Sequence, residues 1–149
     1  LMNFLRPVIK TLVSKRFISQ TLFKRAANPS TIKQILTQAY PSGQNINNEL
    51  IDILFQPSQR SGSAEAFRGF INLFDDYLAT DLFPKVQADI HLIWGEKDPW
   101  ESLEEAKNWN KNFEQIKSLN VVSNAGHCPH DESPDETNRL ILEIIQDIK

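Results

Sequence analysis

Ile90-His91-Leu92-Ile93-Trp94-Gly95-Glu96-Lys97-Asp98-Pro99 is the stretch on which the reading of this chain turns. An apolar, strand-forming run passes directly into a turn that presents one carboxylate, Asp98, just beyond the strand end. His91 alternates with Leu92 and reads as a satisfied strand residue. Further along, Leu119-Asn120-Val121-Val122 predicts a second strand, followed by Ser123-Asn124-Ala125-Gly126 and then His127. Between the two runs, Glu101 to Phe113 places Leu103, Ala106, Trp109 and Phe113 on one face and predicts a helix. A strand, helix, strand unit of this length is a right-handed parallel crossover. Asp98 and His127 then stand at the carboxyl ends of neighbouring parallel strands, the edge where open α/β sheets keep their sites.

Taken singly, each residue has an ordinary explanation. Asp before Pro is common turn chemistry, and a histidine after Gly126 suits the cap of a following helix. Their joint placement points to an acid–histidine pair, in which the carboxylate accepts a hydrogen bond from one imidazole nitrogen. It fixes the tautomer and stabilises the imidazolium formed when the other nitrogen takes a proton. That is half of a catalytic triad.

The wording of the two loops carries more than their spacing. Trp94-Gly95-Glu96-Lys97-Asp98-Pro99-Trp100-Glu101, followed by Gly126-His127-Cys128-Pro129-His130-Asp131-Glu132 and Pro134, resembles the C-terminal part of the α/β-hydrolase superfamily. It is similar to the plant and cyanobacterial branch that includes pheophytinase-like proteins. The resemblance is specific over about the last sixty residues and consistent with the rest. It implies a partial α/β-hydrolase fold, predominantly helical with a short parallel two-stranded sheet. It also implies Asp98 as the triad acid, His127 as the triad base, and hydrolysis of an ester or related bond. Plant relatives of this branch act on chlorophyll breakdown products, although nothing in these residues specifies a tetrapyrrole. A plastid-like compartment follows from the same resemblance, with the cytoplasm as the default.

Such a hydrolase needs a nucleophile elbow, G-x-S-x-G, whose strained turn lifts a serine above the sheet. Every serine from Ser14 to Ser133 lacks that setting. Ser61-Gly62-Ser63 is the nearest cluster, but no apolar strand precedes it and it reads as the start of a helix. The chain is therefore expected to supply the acid and the histidine without the nucleophile, and to be inactive alone. The second class of function is a non-catalytic, self-associating module of truncated or degenerate hydrolase type.

Ahead of the sheet the pattern is helical. Leu5, Val8, Ile9, Leu12 and Val13 share one face, continued by Phe17, Ile18, Leu22 and Phe23 until Asn28-Pro29. Ser30 reads as the N-cap of a second helix through Tyr40, ended by Pro41-Ser42-Gly43. A third is expected from Asn48 to Phe55, closed by Pro57. Ser63 opens a fourth, with Ala64, Phe67, Phe70, Ile71, Phe74 and Leu78 as an apolar stripe. Core packing is the first explanation of that stripe, and a lid over an apolar substrate the second. The resemblance supports the lid, because these hydrolases commonly insert a helical cap before the acid–histidine half. Residues 1–80 are assigned to that cap-like region and 81–149 to the core part, the two forming one compact unit. Leu82 to Val86 connects them. Pro134 starts a final helix with Leu140, Ile141, Ile144, Ile145 and Ile148 as its buried side.

With 149 residues, one domain burying roughly 70% of its unfolded surface is expected. The formal charge of -3 provides no field for nucleic acid, and no run has the length of a membrane span. The single cysteine, Cys128, excludes an internal disulfide and leaves a reducing compartment as the default. The spacing of His127, Cys128, His130 and Asp131 does not match the usual zinc ligand pairs. No metal or cofactor is implied. Cys128 reads as a small packed thiol and His130 as a variable loop position. The opening Leu1-Met2 suggests a vector residue or a cut inside a longer protein. One edge of a two-stranded sheet, lined by Ile90, Leu92, Ile93 and Trp94, would then lie bare, so a homodimer or higher oligomer is expected through that edge or through exchanged cap helices.

Overall fold

The computed structural model describes residues 15–73 and 78–147; the helical run expected from Leu5 to Val13, with Phe74 and Ile148, lies outside them. The described residues divide into two compact units. One takes 15–34 and 47–73 with Leu78, and the other takes 35–46 and 79–147. The segment 35–46 thus belongs with the sheet residues, although both its neighbours in sequence belong with the helices.

In the first unit the apolar periodicity produces helices α1 (Arg16–Ala26), α2 (Pro29–Ala39, whose second half enters the other unit), α3 (Asn48–Phe55) and α4 (Ser63–Leu73). A 3₁₀ turn, Gln56–Gln59, carries the chain beyond α3 past Pro57. The cap of α2 is Asn28 and not Ser30, since the Asn28 side-chain oxygen accepts the Thr31 amide at 2.9 Å. Pro29 occupies the first helical position, where the missing N–H costs nothing, and the start lies two residues earlier than a Ser30 cap would place it. Asn47 caps α3 by accepting the Leu50 amide at 2.9 Å. Helices α1 and α4 meet through Phe23 and Phe67, with ring centroids 5.2 Å apart, and through a Gln20 to Glu65 hydrogen bond of 2.7 Å. The stripe of α4 is only partly core, because Phe70 remains 61% exposed.

The second unit is built on the sheet. Strand β1 (Ile90–Gly95) pairs in parallel with β2 (Ile116–Val122), with Leu92 opposite Leu119 and Gly95 opposite Val122. Strand β2 starts at Ile116, ahead of the expected Leu119, because Ile116 is buried and β-branched and pairs with Ile90, carrying Lys117 and Ser118 into the strand. After the short helix α5 (Ala79–Leu82) and a 3₁₀ turn at Phe83–Lys85, the crossover helix α6 (Leu103–Asn112) is capped by Ser102, which accepts the Glu105 amide. Trp109 of α6 lies edge-on to Trp94 of β1 and to Phe83, at 5.6 and 5.5 Å. These aromatic contacts fasten the crossover to the sheet.

A short helix α7 (Pro129–Glu132) leads into α8 (Pro134–Asp147). Leu140 of α8 closes a small core with Val122 and Ala125, against which Ile93 packs. Its neighbours Ile141 and Ile145 were expected on the buried side but are 40% and 48% exposed. Two strands are narrower than the apolar face of the helix, so only its central line finds cover. Among the described residues, no helix is long and apolar enough to cross a membrane.

Candidate active site

Asp98 and His127 reach one another because two loops leave the sheet almost in backbone contact. Beyond β1, the Glu96 amide donates to the Val122 carbonyl at 3.0 Å and the Lys97 amide to the Ala125 carbonyl at 2.9 Å. This approach requires glycine. A Cβ on Gly95 would lie 1.9 Å from the Gly126 oxygen, and one on Gly126 would lie 2.1 Å from the Ala39 oxygen. Asn124, at a φ of 61°, completes the second loop in the left-handed region that asparagine tolerates. Its side-chain oxygen accepts Lys97 Nζ at 2.8 Å, and its amide donates to Glu96 Oε2 at 3.0 Å.

The carboxylate is held before the imidazole arrives. Asp98 Oδ1 accepts the Trp100 and Glu101 amides at 2.9 and 3.1 Å, an Asx-type turn that fixes its plane. His127 Nδ1–H then donates to Oδ2 at 2.9 Å, with Oδ1 at 3.2 Å. The Asp98 side chain is 5% exposed and that of His127 38%. A buried carboxylate on Nδ1 leaves Nε2 as the lone-pair nitrogen, able to accept a proton. Trp100 stands edge-on to the imidazole, with ring centroids 4.7 Å apart. The two residues singled out from sequence are thus brought together.

A set of polar residues that sequence reasoning left without roles surrounds the histidine loop. The His127 amide donates to the Ala39 carbonyl at 2.9 Å. Tyr40 is buried and donates its hydroxyl to Asp131 Oδ2 at 2.7 Å, while Asn45 donates to the Asp131 carbonyl. Burial, reinforced by the bond to Asp131, pushes the Tyr40 phenol well above its ordinary range, so it stays protonated and able to donate to Asp131. Glu132, 1% exposed, accepts from the amides of Gly126 and Ser42 and from the Ser42 hydroxyl. The motif wording displayed Glu132 and Asp131, but their partners at 39–45 lie about ninety positions earlier and carry no local signal.

Cys128, next to the histidine, is half-buried. Burial pushes its thiol pKa up, with Asp131, Asp98 and Glu132 adding to the rise against a lowering bond from Tyr40. A raised thiol is a poor nucleophile, which agrees with a packing role. His91 Nδ1 lies 2.9 Å from Ser118 Oγ, while its buried Nε2 has no hydrogen-bond partner. The expectation of a fully satisfied strand residue therefore holds for one ring nitrogen only. His130 is exposed. Among the described residues no group of three or more His, Cys, Asp or Glu side chains is placed to hold a metal ion. In the first unit, a cavity of about 390 Å³ is lined by Phe23, Phe55, Ala64, Lys24 and Arg60 among others.

No family model matches the chain. It is similar to the chloroplastic pheophytinase of Arabidopsis thaliana, 26% identical over 130 residues, covering 83% of this chain and 26% of that protein. Among solved structures, a serine hydrolase involved in carbazole degradation superposes with a TM-score of 0.71 at 13% identity, over 80% of this chain and 48% of that one. A meta-cleavage product hydrolase from Pseudomonas fluorescens gives a TM-score of 0.68 at 16% identity, over 82% and 47% of the two chains. A thermophilic esterase from Thermogutta terrifontis gives 0.64 at 21% identity, over 89% and 50%. The chain therefore spans about a quarter of the curated relative and about half of the solved ones. The shared architecture is the α/β-hydrolase fold, and the described residues form part of it.

Proposed function

We propose that this part of an α/β-hydrolase supplies the acid and the general base of a Ser-His-Asp triad, Asp98 and His127, for hydrolysis of an ester or related bond. The observation that carries the reading is the 2.9 Å bond from His127 Nδ1 to the buried Asp98 carboxylate, with the imidazole side chain still 38% exposed. In that geometry Nε2 takes the proton of an attacking hydroxyl, Asp98 stabilises the imidazolium, and the proton then passes to the leaving group. The nucleophile is a serine outside these residues, and the substrate is an apolar ester. Similarity to an enzyme named pheophytinase supports an apolar ester.

Two observations test this reading. The coding DNA upstream of Leu1 should hold, in frame, a strand followed by G-x-S-x-G; a stop codon immediately before Leu1 would instead favour the non-catalytic module. The purified chain should hydrolyse p-nitrophenyl esters no faster than its His127→Ala variant, because a triad without its serine retains only residual catalysis. Turnover by the chain that depends on His127 would place a nucleophile within these residues and overturn the assignment.

One structural feature favours self-association as a companion property. Among the described residues β1 pairs with β2 alone, which leaves it a free edge. A two-stranded sheet is marginal, and such an edge is a template for pairing. A homodimer that joins β1 edges about a two-fold axis satisfies those groups. Sedimentation at micromolar concentration should give a dimer or larger species, and a monodisperse monomer would exclude it.

A further inference from the structure

Glu132 is a long, ionisable side chain enclosed to 1% exposure, a place that such residues seldom occupy without compensation. Its compensation is unusual, because the donors that face it among the described residues are two backbone amides and a hydroxyl, none of them a cation. Oε2 accepts the Gly126 amide at 2.5 Å, and Oε1 accepts the Ser42 amide at 2.8 Å together with the Ser42 hydroxyl. The Ser42 hydroxyl in turn accepts the Gln44 amide at 3.1 Å, which leaves its proton for Glu132. An apolar residue of the same volume could fill this space without desolvating a carboxylate, so packing alone does not explain the choice. What the carboxylate adds is direction. It ties the residue before His127 to the turn after α2, and the last residue of α2 receives the His127 amide through the Ala39 carbonyl at 2.9 Å.

From this geometry we infer that Glu132 is a positioning residue for His127, holding the Gly126 amide and the Ser42 turn so that the imidazole is aimed at Asp98. Gly126 lies directly against residues 39–41, since a Cβ there would lie 2.1 Å from the Ala39 oxygen and 2.4 Å from Pro41 Cδ. The loop therefore has no side-chain packing of its own at this point, and its amide is the handle by which it is held. The inference rests on the reading of Asp98 and His127 as a working pair, but its test follows geometry and not turnover, so either can fail alone.

The test is nuclear magnetic resonance on the full 149-residue chain. Glu132→Gln keeps the shape but replaces one acceptor oxygen by a donor amide, which must face either Gly126 or Ser42. The expected result is about tenfold faster exchange of the Gly126 amide and loss of the His127 Nδ1 proton signal shared with Asp98. Ser42→Ala removes one donor without burying a new polar group, and it should weaken both signatures to a smaller extent in a folded chain. Leu140→Ala is the control, expected to lower stability while both signatures persist. Unchanged signatures in folded Glu132→Gln would overturn the inference. Should that variant not fold, unchanged signatures in Ser42→Ala would do so. Equal disturbance by Leu140→Ala would also overturn it, because the effect would then be one of packing.

Discussion

The loops that carry Asp98 and His127 and the apolar faces of helices α4 and α8 were equally visible as patterns, yet they came out differently. In the loops the groups that fix the pair have named partners: Asp98 is held by two amides and His127, and the following histidine loop by Ala39 and Glu132. On the helices, residues of one stripe part company, with Leu140 at 9% exposure but Ile145 at 48%, and Phe67 at 39% but Phe70 at 61%. Hydrogen bonds and glycine contacts are directional and admit one arrangement. Apolar burial is non-directional and requires only that some surface be covered.

Substitutions can break that comparison, starting with the loops. Gly95→Ala should be the most damaging, because its Cβ would lie 1.9 Å from the Gly126 carbonyl, which is backbone and cannot rotate away. Separating the loops by enough to admit it should cost about 3 kcal/mol in urea unfolding. It should also lose the proton shared by Asp98 and His127. A variant as stable as the wild type would show that the two loops are looser than this geometry states.

The next effect separates the two kinds of apolar position. Leu140→Ala removes a side chain from the small core with Val122 and Ala125 and should cost about 2 to 3 kcal/mol. Phe70→Ala, at an exposed point of its stripe, should change stability by less than about 0.5 kcal/mol. Equal losses at both sites, read from denaturation midpoints, would mean that Phe70 is covered in solution and that the contrast drawn here is between two buried faces.

The smallest effect sharpens the account of the helix starts. Asn28→Ala should cost about 1 kcal/mol, the usual worth of a side-chain cap, whereas Ser30→Ala should be nearly silent. The reverse ranking in thermal unfolding would return the cap of α2 to Ser30.

Much of the site was legible in the chain itself, for local reasons. Asp98 follows an apolar run and precedes Pro99, and His127 follows Gly126 after a second run, so strand ends and turn chemistry located both without knowledge of packing. The parallel crossover then placed them on one sheet edge, since only one handedness packs a helix back onto two strands. The helix boundaries at Asn48, Phe55, Ser63 and Pro134 were readable for the same reason, because caps and proline act over three or four residues.

What remained hidden depends on separations that no local rule spans. The Asn28 cap was missed by two residues, but Glu132 and Ser42 are 90 residues apart, and neither residue type predicts the other. The allegiance of 35–46 to the sheet residues is likewise a tertiary outcome, set by Tyr40, Ser42 and Asn45 finding acceptors on residues 131 and 132. Periodicity named the apolar residues of α4 and α8 without saying which would be covered, because a stripe records a capacity for burial while the width of the neighbouring surface decides how much is used. The amino-acid sequence by itself therefore determined the elements, their parallel order and the two residues of the pair. Only the tertiary structure decided how that pair is held, since the holding groups are brought together by chain folding and not by adjacency.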